Sequence, residues 1–172
     1  MKNRVVPSQN EQIMQQNAFI VSKSDLQGRV TYCNRTLMQI SGYSEPELLG
    51  KQHNILRHPD MPRTIFNLMW ETIVGGKEYF AYIKNLCKNG DYYWVFANVT
   101  PDYDNENKIC GYFSVRRKPK PEAIKEISIL YQQILDAEKQ AGAKDAVVAG
   151  TKVLNDYLLA GNQNYETFIL NI

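Results

Sequence analysis

The chain has few of the residues that mark most specialised chemistries. It holds two histidines and three cysteines in 172 residues. Cys33, Cys87 and Cys110 lie far apart with no CxxC spacing, which argues against a zinc site or a disulfide frame and for reduced structural thiols. No run approaches the roughly 18 uninterrupted apolar residues of a membrane span. Met1-Lys2-Asn3-Arg4 leads into a polar stretch instead of an apolar signal segment, so the reading is a cytoplasmic protein. Charge of one sign is also scarce. The formal charge is +2 and Arg116-Arg117-Lys118 is the one tight basic cluster, so nucleic-acid binding is not expected. No nucleophile–base pair stands out, and an enzyme is not expected either.

What is present suffices for a packed core: 44% hydrophobic residues in a length that suits one domain with an added helical segment. The small net charge hides an asymmetry. Residues 1–120 carry 16 Lys and Arg against 11 acids, whereas residues 121–172 carry 4 Lys against 7 acids. This places a boundary near Lys118-Pro119-Lys120-Pro121. Three segments follow: a polar, Gln- and Asn-rich arm or cap over 1–17, a main domain over 18–119, and a helical segment over 120–172 suited to docking or dimerisation.

Within the main domain, Phe19-Ile20-Val21-Ser22 and Val30-Thr31-Tyr32-Cys33 read as strands around the turn Asp25-Leu26-Gln27-Gly28. Asn34 stands where it would cap a short helix carrying Leu37 and Ile40, and Ser44 with Pro46 marks another helix start. From Pro62 to Val74 the spacing of Ile65, Phe66, Met69, Trp70 and Ile73 is helical, and Gly75-Gly76 stops it. Strands at 78–86, 91–101 and 108–118 come next, the first two joined by Lys88-Asn89-Gly90, a strong hairpin signal. Two strands, several short helices and a three-stranded meander predict an α+β domain: a five-stranded antiparallel sheet with the short helices on one face, followed by a C-terminal helical extension. Both faces of the middle meander strand are rich in apolar residues. Tyr93, Val95, Ala97 and Val99 line one, where the small side chains leave space for a ligand. Tyr92, Trp94, Phe96 and Asn98 line the other, which needs a cover from the N-terminal arm, the C-terminal helix or another chain.

Both histidines fall between His53 and Pro62, in the run His-Asn-Ile-Leu-Arg-His-Pro-Asp-Met-Pro. On local grounds this is a well-capped loop, with Asp60 or a neighbour capping the helix that Pro62 opens. Its neighbours add a second reading. Asp25-Leu26-Gln27-Gly28, Asn34, Ile40-Ser41-Gly42-Tyr43, His53-Asn54, Arg57-His58-Pro59-Asp60-Met61-Pro62, Met69-Trp70, Lys84-Asn85, Lys88-Asn89-Gly90-Asp91 and Tyr93-Trp94-Val95 together resemble the PAS sensor domain of the Aer-type bacterial aerotaxis and energy-taxis receptors. The likeness runs from about residue 18 to residue 119. It implies noncovalently bound FAD and a sensor that reports the redox or oxygen state of electron transport.

Carried over by position, the flavin-associated residues are Asn34, Arg57, His58, Asp60, Trp70 and Asn85. Trp70 can pack on a ring system. The Asn85 carboxamide offers donors and an acceptor to a heterocycle edge. Arg57, with Lys51, can hold a pyrophosphate. His58 and Asp60 would touch the adenine end or brace the loop. Photoreceptor relatives carry a reactive cysteine in a motif that here reads Gly50-Lys51-Gln52-His53-Asn54, so covalent photochemistry is not expected. Their last-strand glutamine is matched by Arg116, whose permanent charge would favour a negatively charged reduced flavin.

In the tail, Ile124, Ile127, Tyr131, Ile134 and Leu135 form an apolar stripe from 121 to 141, and Val147, Leu154, Tyr157 and Leu158 suggest a second helix after Gly142. It reads as a hairpin packed on the domain, or as an element for homodimerisation or receptor docking. Receptors of the resembled type continue into a membrane anchor and signalling coiled coil. The expectation is therefore the soluble half of a split system, passing its state to a methyl-accepting membrane chemoreceptor. Two alternatives stay open: a haem-binding PAS gas sensor using His53 or His58, and a cofactor-free PAS interaction module.

Overall fold

Strand β1 (Ile20–Ser24) opens the sheet and β2 (Val30–Cys33) returns beside it. The short helices α1 (Arg35–Ser41) and α2 (Glu45–Leu48) follow, then a 3₁₀ turn at His53–Leu56 and the longer α3 (Arg63–Val74). The meander is β3 (Tyr79–Leu86), β4 (Tyr92–Tyr103) and β5 (Ile109–Arg117). All pairings among these five strands are antiparallel, and the strand order is β2-β1-β5-β4-β3. The computed structural model describes residues 5–172, so the first four residues of the expected arm lie outside the described residues.

Local chemistry sets the short elements. Asn34 Oδ1 accepts the Leu37 N–H at 3.1 Å and so caps α1. Ser44 and Glu47 form a reciprocal capping box on α2. The rest of the arm docks in extended form along the β3–β4 turn and forms no helix. Ser8 N–H donates to the Gly90 carbonyl and Gln12 N–H to the Tyr92 carbonyl, both at 2.7 Å, and Met14 is buried. Asp91 ties the contact, accepting from Ser8 Oγ at 2.7 Å and Gln12 Nε2 at 2.8 Å.

The C-terminal segment supplies the cover that the aromatic face needs. Helix α4 (Pro121–Ala160) breaks at Gly142, where φ is 76° and ψ 175°, into arms over 121–141 and 143–160; α5 (Tyr165–Asn171) ends the chain. The first arm crosses the outer face of β3 and β4. Ile127, Leu130, Tyr131 and Ile134 are buried there, and Tyr131 stacks on Trp94 at 6.5 Å. The segment also closes the free edge of β3. Tyr165 donates to the Phe80 carbonyl at 3.0 Å and Tyr131 to the Tyr82 carbonyl at 2.9 Å, while the Lys84 N–H meets Met61 Sδ at 3.3 Å. An exposed strand edge would otherwise offer these groups to another chain.

Candidate functional site

A cavity of about 230 Å³ lies between the inner face of the sheet and α3. Helical periodicity turns Phe66, Met69, Trp70 and Ile73 of α3 toward it, and strand alternation brings Ile83, Asn85, Val99, Tyr112, Ser114 and Arg116 from the opposite side. Trp70 meets the Tyr112 ring edge-on at 5.4 Å. It also lies against the β1–β2 turn at Gly28, which has a φ of 74°. A Cβ at Gly28 would sit 3.0 Å from the indole, so both the backbone and the space call for glycine. Gln52 and Asn54, both exposed, mark the mouth beside Arg57.

The polar end is built on register. Arg116 stands between Ile20 of β1 and Ala97 of β4, and Ser114 stands between Ser22 and Val99. The small Ala97 leaves room for the guanidinium. Arg116 is 5% exposed, and its Nη2 donates to Ser22 Oγ at 2.8 Å and to His53 Nε2 at 2.9 Å. Because a guanidinium only donates, His53 Nε2 accepts and the imidazole proton sits on Nδ1. Burial, reinforced by the Arg116 charge, holds the His53 pKa down to about 3, so the ring is neutral. Burial also lowers the Arg116 pKa, but a guanidinium remains charged. Among the described residues, no carboxylate lines the cavity. Arg116 Nη1 and Ser114 Oγ are buried and have no hydrogen-bond partner. A buried cationic donor without an acceptor is costly, and it defines what the cavity lacks: an acceptor-bearing group.

The 53–62 run divides between this cavity and its surroundings. His53, Asn54 and Arg57 line the cavity. Arg57 Nη2 donates to the Met61 carbonyl at 2.8 Å, and its guanidinium lies 4.5 Å from the Phe66 ring centre. His58 and Asp60 lie outside. His58 is buried edge-on to Tyr92, and its Nδ1 accepts the Asp60 N–H at 3.1 Å. The Asp60 carboxylate pairs with Lys84 at 2.8 Å. Asn34 is also outside the cavity. Besides capping α1, it receives the Val21 N–H and donates to the Phe19 carbonyl, which pins α1 to β1. Trp70, Asn85 and Arg116 share the cavity with Arg57; Lys51 is exposed and does not line it. His53, weighed from sequence only as an iron ligand, is the centre of the polar end. No local signal ties it to Arg116, since the contact spans 63 positions. The expected cap of α3 by Asp60 is corrected: Pro62 occupies the cap position with no side-chain bond, and Glu138 of α4 accepts the Arg63 and Thr64 N–H groups.

The PAS fold family pattern matches residues 30–116, from the first residue of β2 to the cavity arginine. The chain belongs to the PAS family. By sequence it is 44% identical over 115 residues to the aerotaxis receptor of Escherichia coli (strain K12), a match covering 67% of this chain and 22% of that protein. The chain thus spans about a fifth of that relative's length. Among solved structures, the dark-state LOV domain of the blue-light photoreceptor Aureochrome1 superposes with a TM-score of 0.58 at 20% identity, over 67% of this chain and 86% of that one. A light-oxygen-voltage domain studied with a flavin analogue also gives 0.58, at 18% identity, over 66% and 87%. These two share the PAS fold. None of the PAS domain's three cysteines lines the cavity, and burial pushes the Cys87 thiol up to about 12. Among the described residues, no cluster of potential metal ligands occurs and no helix is long and apolar enough to cross a membrane.

Proposed function

We propose that this PAS domain binds FAD and acts as a cytoplasmic redox or oxygen sensor in bacterial aerotaxis signalling, relaying its state in trans to a methyl-accepting membrane chemoreceptor. The observation that carries this reading is the orphaned Arg116 Nη1 beside the orphaned Ser114 Oγ, in a cavity walled by Trp70, Phe66 and Met69. An aromatic heterocycle rich in acceptors answers both the apolar walls and the unmatched donors. The likeness to the aerotaxis receptor points the same way.

The fit limits what enters. At about 230 Å³ the cavity falls below the roughly 300–1,000 Å³ of a site that takes a whole drug-sized ligand, so it suits the ring system while the remainder leaves by the mouth. Arg57 stands there, with the geometry to hold a phosphate group. Asn85 presents a carboxamide to the ring edge, and Arg116 presents a fixed positive charge. FAD when bound supplies the redox centre. The protein's part is to shield that centre, to offer a cation where negative charge grows, and to keep His53 neutral so that it holds Arg116 in place. This is sensing chemistry and needs no substrate site. The haem alternative finds less support: His53 Nε2 is engaged by Arg116 and Ser22, and His58 is outside the cavity.

The test is the visible spectrum of protein purified without added cofactor, with the ligand released by heat and identified by chromatography. Two flavin bands and released FAD are expected. A sharp haem band would replace the reading with a gas sensor, and a colourless protein that refuses added FAD would leave an interaction module. For the relay, co-purification with a chemoreceptor that lacks a sensor domain is expected to depend on the bound flavin.

A further inference from the structure

The N-terminus of α3 and the break in α4 meet at one carboxylate. Arg63 N–H donates to Glu138 Oε2 at 3.0 Å, Thr64 N–H to Oε1 at 2.8 Å, and Thr64 Oγ1 to the same Oε1 at 2.8 Å. Glu138 is 7% exposed. A carboxylate there satisfies orphan donors of the helix and faces the positive end of its dipole. The returning arm of α4 seals the contact. A Cβ at Gly150 would collide with Thr64 Oγ1 and lie 3.1 Å from Glu138 Oε1, so glycine lets that arm close over the cap. Arg63 Nη1 reaches the Ala143 carbonyl at 3.4 Å, next to the break.

The same helix forms the cavity wall. α3 begins at the Glu138 contact and presents Phe66, Met69 and Trp70 one and two turns later. Arg57, at the mouth, also feels the Glu138 charge, which favours its protonated form against burial. The C-terminal helices therefore hold the start of the helix that walls a site they do not themselves line.

We propose that Glu138 is a positioning residue of the flavin cavity, fixing α3 from the C-terminal helices so that docking of those helices and occupancy of the cavity are energetically linked. The proposal rests on the flavin reading above. Linkage is reciprocal: the factor by which docked helices tighten flavin binding is the factor by which flavin tightens their docking. A lost helix cap corresponds to about tenfold in an equilibrium constant, which sets the expected effect.

The test compares the full chain with Glu138→Ala, Glu138→Gln and Gly150→Ala, by amide hydrogen exchange without cofactor and by FAD titration. In Glu138→Ala, exchange is expected to quicken at Arg63, Thr64 and across 143–160, while β4 and β5 keep wild-type rates. FAD binding weakens about tenfold, and Glu138→Gln, which keeps an acceptor oxygen, regains part of it. Gly150→Ala repeats the loss with Glu138 intact. In the wild type, FAD slows exchange across 143–160; in Glu138→Ala it does so less. A folded Glu138→Ala protein that binds FAD like the wild type overturns the proposal, as does wild-type exchange across 143–160 that ignores FAD. If Glu138→Ala does not fold, Glu138→Gln and Gly150→Ala carry the same comparison. A wild-type protein that takes up no FAD instead overturns the flavin reading. Exchange without cofactor then judges the helix cap alone, and unchanged rates at Arg63 and Thr64 would overturn that too.

Discussion

The cavity cluster of Arg116, His53 and Ser22 and the surface cluster of His58, Asp60 and Lys84 are built from similar residue types, and each contains a buried nitrogen without a partner. In the first it is Arg116 Nη1, which borders an open volume; in the second it is His58 Nε2, packed beside the Tyr92 ring and away from the cavity. The charges differ as well. Arg116 keeps a cation with no carboxylate near it, whereas Lys84 and Asp60 neutralise each other at 2.8 Å. An orphaned donor invites a ligand when it faces space and is only a packing cost when it does not.

Acid should strain both clusters, and this is the largest expected effect. Burial, with the Arg116 charge beside His53 and Lys84 beside His58, holds the two pKa values at about 3 and about 4, against an ordinary 6.5. Both rings stay neutral in the folded protein while the unfolded chain takes up protons. Stability is thus complete above pH 6.5 and falls below it, by roughly 1.4 kcal/mol per pH unit for each histidine, until the folded forms protonate. Urea unfolding between pH 5 and 7 reads the slope, and His53→Gln and His58→Gln should each remove about one proton's share. Only His53→Gln should also weaken FAD binding; equal losses from both would erase the distinction between the clusters.

Arg116→Met tests the cavity side directly. Loss of a charged hydrogen bond predicts FAD binding weaker by roughly 10- to 100-fold. Removal of an uncompensated buried charge predicts an unchanged or higher Tm in the cofactor-free protein. A variant that melts lower and binds normally would reverse the reading. The smallest effect belongs to Asp60→Asn. Its carboxylate is 60% exposed, so breaking the Lys84 pair should cost at most about 1 kcal/mol in urea unfolding and leave FAD titrations unchanged.

Most of the fold could be read from the sequence because its signals are local. Alternation in 92–99, the Asn-Gly turn and the caps at Asn34 and Ser44 each act within a few residues. The cavity was half legible. Trp70, Asn85 and Arg116 face it through helix and strand periodicity, but Asn34, His58 and Asp60, chosen by position in the resembled family, lie outside it, where Asn34 and Asp60 bond the scaffold and His58 engages its own loop through Nδ1 alone. The dense polarity of His58-Pro59-Asp60 closes a loop, and sequence alone cannot separate that from a ligand site. His53 and Glu138 act across 63 and 75 positions, and no window of sequence reports a partner so distant.

The tyrosines along the edge of β3 bear on where this protein can be cut. A chain ending at Pro119 would keep every strand and every residue lining the cavity, yet would bare the Phe80 and Tyr82 carbonyls and uncover Trp94. Such an edge is a template for another strand, so the shortened protein should pair edge to edge or aggregate more readily than the full chain. The unit with its sheet edge covered is therefore larger than the unit that carries the cavity, and the tail shields that edge as much as it completes the fold.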